Sequence, residues 1–339
     1  MGVRPEELLH PTPAGLYCPI GDFHIDPTRA VPRALITHGH ADHARPGHGS
    51  VLATAETLAV MAARYGPGHA ATTQSIVYGD TLALGGVDVR FEPAGHVLGS
   101  AQIMVEAGGL RIVASGDYKR QEDPTCAGFE PIRCDVFITE ATFGLPVFRH
   151  PDASGEARRL LASVAQFPDR THLVGAYSLG KAQRMIRLIR DAGYDRPIFI
   201  HGALEALCAL YEAHGVALGP LRPATDDSLS RADYAGAIVV GPPASMNDRW
   251  ARRFADPLDC FASGWMRIRQ RAKQGGVELP LIVSDHGDWD ELTATIRDAG
   301  AGEVWVTHGR EEALVRWCEL AGIPARPLNL VGYEDEDGS

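Results

Sequence analysis

The sequence predicts an α/β protein of two domains, the first of which is interrupted by the second. Strand-like runs that end in histidine or a carboxylate occur near both ends of the chain, at residues 33–37, 135–139, 281–284 and 304–307. The middle of the chain alternates helical and strand-like patterns without such groups, which is typical of a mainly parallel sheet. At 339 residues the chain is also longer than one small domain requires. We therefore expect a first domain at 1–150 and 280–330, an inserted domain at 151–279, and a disordered acidic tail at 331–339.

Residues 38–43 read His-Gly-His-Ala-Asp-His and directly follow the first of these apolar runs. Alternate residues of an extended segment point the same way, so His38 and His40 can bind one ion. Asp42 and His43 fall one step further on, in position for a second ion. Imidazole and carboxylate are ligands of divalent metals, and we expect two ions, with zinc as the first choice and manganese as the alternative. A histidine-rich surface loop is the other interpretation, but the spacing after a buried strand argues against it.

Further histidines and carboxylates lie at the ends of other predicted strands. The residues are His96, Asp117, Glu140, His286 and His308. A single histidine or aspartate is usually structural, but beside the 38–43 motif His96 and Asp117 become expected ligands, and an aspartate can bridge two metals with its two oxygens. Asp26 is a candidate to orient a ligand imidazole through its second ring nitrogen. A turn-forming aspartate before Pro27 is the equal alternative.

Composition limits the class of protein further. The six cysteines are scattered without a CxxC pair, which indicates reduced thiols and a cytoplasmic location. The N-terminal residues lack the apolar core of a signal peptide, and no apolar run reaches membrane-spanning length, so no membrane partner is expected. The net charge of −11 argues against coating nucleic acid by bulk electrostatics, yet allows a nuclease with metals and a local basic patch.

Two runs of basic residues are candidates for that patch. The first run is Lys181, Arg184, Arg187 and Arg190; the second is Arg267, Arg269, Arg271 and Lys273. For both runs a solvated face is the alternative interpretation.

With these groups assembled, the sequence resembles the β-CASP nuclease branch of the metallo-β-lactamase superfamily. Within that branch it is similar to the bacterial ligase-associated DNA damage response exonucleases. The motifs that carry the resemblance are LYCPIGDFHIDP, SGDYK, TEATFGLP, AYSLGKAQ and FASGWM. The resemblance implies an αβ/βα (α+β) sandwich with an inserted β-CASP α/β domain. It also implies single-stranded DNA as substrate and a DNA ligase and a helicase as partners.

The resemblance also implies a role for each motif residue. One metal would be held by His38, His40, His96 and Asp117, and the other by Asp42, His43, His308 and the bridging Asp117. Catalysis would use Asp42 and Asp117, with His286 as general acid oriented by Glu140. Relatives of the Artemis type lack the last ligand histidine, whereas His308 is present here as in the RNA-processing relatives.

The function expected from these residues is a two-metal-dependent DNA exonuclease that digests single strands from the 5′ end in DNA repair. A β-CASP ribonuclease and a non-catalytic scaffold subunit are the alternatives. We expect a pocket for the 5′-phosphate, because Ser178, Gly180 and Lys181 open a helix where backbone N–H groups favour an anion, and Ser263 and Gly264 could close it. The alternative is that Ser178 only caps the helix and Lys181 is solvated.

Overall fold

The computed structural model describes residues 3–225, 228–246, 248–254, 256–328 and 330. They divide into two compact units, one formed by the chain up to Arg149 and from His286 onward, the other by His150–Asp285. The acidic tail predicted at 331–339 lies outside the described residues. The second unit extends beyond the predicted boundary at 279, because Leu279–Leu281 forms a strand of its sheet.

The elements follow one another along the chain in this way. The strands are β1 (His10–Thr12), β2 (Gly15–Cys18), β3 (Phe23–Ile25), β4 (Arg33–Leu35), β5 (His48–Ala53), β6 (Ala70–Ser75), β7 (Thr81–Leu84), β8 (Val87–Pro93), β9 (Ala101–Ala107), β10 (Leu110–Ala114), β11 (Val136–Ala141), β12 (His172–Gly175), β13 (Ile198–Ile200), β14 (Leu221–Pro223), β15 (Ile238–Gly241), β16 (Leu258–Ala262), β17 (Leu279–Leu281), β18 (Glu303–Gly309) and β19 (Ala325–Pro327). The helices are α1 (Pro5–Leu8), α2 (Ala55–Tyr65), α3 (Ala153–Gln166), α4 (Lys181–Asp191), α5 (Gly202–Ala213), α6 (Arg269–Gln274), α7 (Trp289–Ala299) and α8 (Glu311–Leu320).

The first unit is a sandwich of two sheets around an apolar core. One sheet has the strand order β1-β2-β3-β4-β5-β6, and the other has the order β19-β18-β11-β10-β9-β8-β7. Side chains of the first sheet such as Phe23 and Leu35 pack in one cluster with Phe91, Ile138 and Trp305 of the second. Because successive strand residues face opposite sides, each sheet also has an outer apolar face.

Helices cover those outer faces. Phe137 and Val304, on the outer side of the second sheet, pack with Leu292 of α7 and Leu314 of α8. On the outer side of the first sheet, Ile36 and its neighbours pack with Met61 of α2. The layers are therefore helix, sheet, sheet and helix, which confirms the predicted αβ/βα sandwich.

The second unit is built on a parallel sheet with the order β14-β13-β15-β12-β16-β17. Its central strand β15 has fully buried side chains at Ile238, Val239 and Val240, as expected for a parallel sheet covered on both faces. Among the described residues, no helix is both long and apolar enough to cross a membrane.

One predicted strand, at residues 281–284, is wrong, since β17 ends at Leu281. Side chains rather than a neighbouring strand bond the backbone beyond that point. The Glu156 carboxylate accepts the Ile282 N–H at 2.8 Å, and the Arg184 guanidinium donates to the Ser284 carbonyl. The segment that precedes His286 is thus held by side-chain hydrogen bonds rather than by pairing with a neighbouring strand.

Candidate metal centre

The predicted ligands lie at the carboxyl ends of strands from both sheets of the first unit. Strands β10, β11 and β18 are parallel neighbours, so their carboxyl ends meet at one edge of the sheet. Asp117 follows β10, Glu140 lies near the end of β11 and His308 lies near the end of β18. The 38–43 motif follows β4 of the other sheet.

Three imidazoles and a carboxylate form a first buried group: His38, His40, His96 and Asp117. The His40 Nδ1 atom lies 3.1 Å from His38 Nε2 and 3.0 Å from His96 Nε2. The Asp117 Oδ2 atom lies 3.5 Å from His38 Nε2 and 3.8 Å from His96 Nε2. A tetrahedral zinc site with bonds of about 2.0–2.1 Å separates its ligand atoms by about 3.3 Å. These four groups therefore fit a divalent metal.

A second group shares Asp117 with the first and adds His43 and His308. The His43 Nε2 atom lies 3.4 Å from Asp117 Oδ2, and His308 Nδ1 lies 3.9 Å from Asp117 Oδ1. Asp117 thus faces both groups, as a bridging ligand must. Asp42 Oδ2 lies 3.5 Å from His43 Nε2, but Asp42 is not a member of the groups of converging ligand atoms. Its role as a metal ligand stays a prediction.

Asp117, Glu140 and His286 form a third group. The His286 Nδ1 atom lies 3.0 Å from Glu140 Oε2, and Glu140 Oε1 accepts the Tyr118 N–H at 2.8 Å. Glu140 is fully buried, so this carboxylate fixes the orientation of the His286 ring. The arrangement allows His286 to act as a proton donor or as a metal ligand.

Burial sets the protonation of the histidines. It holds the pKa of His38 well below its usual value, helped by the neighbouring His43 and His96. Burial, with His43 nearby, also lowers the pKa of His308 to about 4. Both rings are therefore neutral at pH 7 and offer lone pairs, which is the form that binds a metal.

Charged neighbours outweigh burial in setting the pKa values of two other groups, His43 and Asp117. Burial alone would lower the pKa of His43, but Asp117 and Asp42 outweigh it and hold that pKa well above its usual value. Burial alone would raise the pKa of Asp117, but His43 outweighs it, so the pKa is lowered and the carboxylate stays ionised. Without a metal, protonated His43 supplies the positive charge beside Asp117.

Asp26 and Thr37 contact the His43 and His38 rings at Nδ1, the nitrogen of each ring that is not directed toward Asp117. Asp26 Oδ2 lies 2.8 Å from His43 Nδ1, on the side of the ring away from Asp117, and accepts the Thr37 hydroxyl at 2.6 Å. The same hydroxyl lies 3.0 Å from His38 Nδ1. Asp26 is among the residues predicted from the sequence, whereas Thr37 is not, although it directly precedes the 38–43 motif.

The residues of the predicted phosphate pocket lie in the second unit, where they have internal partners. The Lys181 ammonium is fully buried, 2.5 Å from Asp285 Oδ1. The Gly180 N–H donates to Gln183 Oε1 at 2.8 Å. The alternative of a solvated Lys181 is therefore wrong. So is the alternative of Ser178 as the N-cap, since Gly180 occupies that position.

The other two residues of the predicted phosphate pocket, Ser263 and Gly264, lie in a local turn. Ser263 is buried and its hydroxyl accepts the Trp265 N–H at 3.2 Å, while Gly264 begins the following turn of 3-10 helix. The Lys181 ammonium and the Gly180 N–H are committed to Asp285 and Gln183, so neither is available to a phosphate without rearrangement. The Ser263 hydroxyl acts as an acceptor in its cap and keeps its own hydrogen. The phosphate-binding roles of Ser178, Gly180, Lys181, Ser263 and Gly264 stay predictions.

Gly95 fixes the loop that carries His96, which leads to a testable prediction. Gly95 has φ +73°, and a Cβ there would lie 2.2 Å from the Lys119 carbonyl oxygen. Gly66 has φ +85° with open space around it. Both Gly→Ala changes carry the cost of a positive φ, about 1–3 kcal/mol, but only Gly95→Ala must also displace backbone. We expect Gly95→Ala to lower the unfolding temperature more than Gly66→Ala and to weaken zinc binding in calorimetry. Equal effects of the two changes would contradict this.

The fold and the site together define a class of protein. A helix-sheet-sheet-helix sandwich with a histidine and aspartate centre at its strand ends, interrupted by a parallel α/β unit, agrees with the fold implied by the resemblance to metallo-β-lactamase proteins with an inserted β-CASP domain. Comparison with known sequences confirms the resemblance to the nucleases of that group. A scan against protein-family models finds no match.

Three relatives show the extent of the similarity. A "Probable DNA ligase" of Opitutus terrae is 26% identical over 322 residues, covering 90% of this chain and 30% of that protein. "Cleavage and polyadenylation specificity factor subunit 3" of Dictyostelium discoideum is 33% identical over 141 residues, 40% of this chain and 18% of that protein. "Endoribonuclease ysh-1" of Neurospora crassa is 30% identical over 148 residues, 40% of this chain and 17% of that protein. The chain thus spans less than a third of the length of these relatives.

A solved structure shows the same fold. The crystal structure of a protein of unknown function from Enterococcus faecalis V583 matches with a TM-score of 0.57 at 13% identity, covering 88% of this chain and 80% of that one.

Proposed function

We propose that this protein is a metal-dependent phosphodiesterase that hydrolyses nucleic acid. The observation that supports this most directly is the position of Asp117, which takes part in three converging groups of buried histidine and carboxylate atoms. A shared carboxylate between two groups of imidazoles suits two neighbouring divalent ions. The resemblance to β-CASP nucleases supports the same conclusion.

The residues divide the chemistry between them. Two ions bound in these groups would supply Lewis acidity and a water of lowered pKa at neutral pH. Hydrolysis must also protonate the leaving 3′-oxygen, which is otherwise a poor leaving group, and His286 is the candidate donor. Glu140 holds the His286 ring by Nδ1 at 3.0 Å, which leaves Nε2 to carry the transferred proton. Zinc is the expected metal and manganese the alternative, because imidazole nitrogens outnumber carboxylate oxygens.

We propose single-stranded DNA as the substrate, digested from the 5′ end during DNA repair in the cytoplasm. The relative that matches over 90% of this chain is described as a probable DNA ligase, and most of that protein lies outside the match. A ligase acting beside this enzyme is therefore a proposed partner, and a helicase is proposed from the family resemblance. The ribonuclease alternative is supported by the endoribonuclease relatives and by the presence of His308.

Product sizing on labelled strands tests the proposal. The enzyme, loaded with zinc or manganese, would be incubated with matched DNA and RNA carrying a label at the 5′ or the 3′ end. We expect mononucleotide release from 5′-labelled DNA, with metal content measured in parallel and activity lost on chelation. Preferential cleavage of RNA would establish the ribonuclease alternative, and no cleavage by the fully loaded protein would favour the scaffold alternative.

A further inference from the structure

The two basic runs predicted from the sequence differ in exposure and in their contacts within the second unit. In the first run the cations are used by the fold. Lys181 pairs with Asp285 and is fully buried, Arg187 pairs with Asp191 at 2.7 Å, and Arg190 donates to the Leu218 carbonyl at 2.9 Å. These groups build the unit and leave no charge for a ligand.

The second run is exposed and lies on and beside α6. Arg267, Arg269, Arg271 and Lys273 are exposed, and Ala272 is the buried residue of this short helix. The stretch from Gly264 to Val277 contains these four cations and no acidic residue. Among the described residues, no ion pair joins Arg269, Arg271 or Lys273 to a carboxylate.

The cluster contrasts with the composition of the chain, which has 43 acidic and 32 basic residues. Some other exposed arginines do pair with carboxylates, as Arg158 does with Asp152 at 3.6 Å and Arg316 with Glu319 at 2.8 Å. Arg269 and Lys273 are four residues apart on a helix, where like charges repel and destabilise it. A local arrangement that disfavours the fold without a visible gain indicates a functional surface.

An aromatic ring distinguishes this surface from a plain anion-attracting patch. The Arg271 guanidinium lies over the Trp265 ring, 4.0 Å from its centroid. Arg271 itself is exposed, so its guanidinium is accessible to a ligand. Nucleic-acid bases that are not paired stack on arginine planes and on aromatic rings. A surface that offers cations to the phosphates and a planar group to an unpaired base favours a single strand, because the bases of a duplex are already paired and stacked.

We propose that the surface formed by Trp265, Arg269, Arg271 and Lys273, here called the α6 surface, binds single-stranded nucleic acid. Arg269 and Lys273 contact backbone phosphates, and Arg271, beside the Trp265 ring, stacks against one base. The inference rests on the proposed function, which requires a nucleic-acid substrate, and it adds a binding surface to the metal centre.

Binding of a labelled oligothymidylate, measured at several salt concentrations with the metals chelated, tests the α6 surface without cleavage. Each phosphate contact on a single strand contributes about 0.7 to the slope of log affinity against log salt. The double change Arg269→Gln, Lys273→Gln should therefore reduce that slope by about 1.4 and weaken binding. The charge-conserving pair Arg269→Lys, Lys273→Arg should bind as the parent does. The matched control, Arg158→Gln with Arg316→Gln, removes the same charge from exposed, paired arginines and should leave the slope unchanged.

Arg271→Gln tests the stacking separately. It should lower the affinity for oligothymidylate about fivefold or more, and the same change should matter less for a duplex of equal length. Thermal unfolding of each variant controls for folding. The proposal is overturned if the α6 variants and the control variants have the same slope, or if duplex binds as well as the single strand. It is also overturned if the variants lose binding to anionic vesicles or to an acidic peptide but keep binding to oligothymidylate.

A small substrate separates this inference from the proposed function. Hydrolysis of bis(p-nitrophenyl) phosphate requires the metal centre. This substrate is too small to contact a second surface at the same time. The α6 variants should hydrolyse it at the parental rate. If the loaded parent protein does not hydrolyse it, the proposed function fails, whatever the α6 surface binds.

Discussion

Replacing Asp117 by asparagine should abolish nucleic-acid hydrolysis and lower the bound metal content. Asp117 contributes an oxygen to all three groups of candidate ligands, and asparagine keeps its shape but removes its charge. Loss of a charge-neutralising ligand from a catalytic metal site costs several kcal/mol, and each ~1.4 kcal/mol is tenfold in rate. We therefore expect a fall of roughly three orders of magnitude or more in kcat/KM. Metal analysis of the purified variant should show fewer than the parental number of ions.

Asp123→Asn is the matched control for this change. Asp123 and Asp117 are both 7% exposed, but the Asp123 carboxylate accepts the Thr125 N–H and hydroxyl at 2.8 and 2.6 Å. Asparagine retains that acceptor, so this variant should keep both metal content and activity. A fully active Asp117→Asn protein with parental metal content would contradict the assignment of the centre.

His286→Ala should slow hydrolysis by roughly two to four orders of magnitude and leave the metal content unchanged. This is the effect expected for a general acid, whose loss removes proton transfer to the leaving oxygen. Glu140→Gln should act in the same direction, because the His286 ring would lose the carboxylate that orients it at 3.0 Å. Burial, opposed by His286, raises the pKa of Glu140, so the orienting effect should weaken as the pH falls and Glu140 becomes protonated.

Two comparisons make this result specific. His69→Ala removes another buried histidine, whose Nδ1 lies 3.1 Å from the Gly66 carbonyl of its own turn, and this variant should keep full activity. His308→Ala should show the converse of His286→Ala, with weakened metal occupancy measured by calorimetry. If metal analysis finds an ion missing from His286→Ala, His286 is a ligand and its assignment as the acid is wrong.

The local sequence was enough to predict strands and a metal-binding motif, because both depend on short-range patterns, whereas the sandwich and the complete ligand set were implied by the family resemblance. Apolar runs predicted the strands around Phe91, Ile138 and Val304, and the period of two separates the side chains of the two faces of each strand. The spacing of His38, His40 and His43 after one such strand predicted a metal centre without any long-range information. The strand predicted at residues 281–284 failed for the complementary reason, since its backbone is bonded by Glu156 and Arg184 from distant helices.

By itself, the sequence determined the fold class, the two-part first domain and the chemistry of the converging groups. Only the tertiary structure decided which charges remain available. Lys181 and Arg271 belong to similar basic runs, yet Lys181 is buried against Asp285 whereas Arg271 lies exposed over Trp265. The same holds for Asp26, whose hydrogen bond to His43 joins residues 17 positions apart in the chain. The physical reason is that a charge is committed by burial and by its partner, and both are set by packing between distant segments rather than by neighbouring residues in the chain.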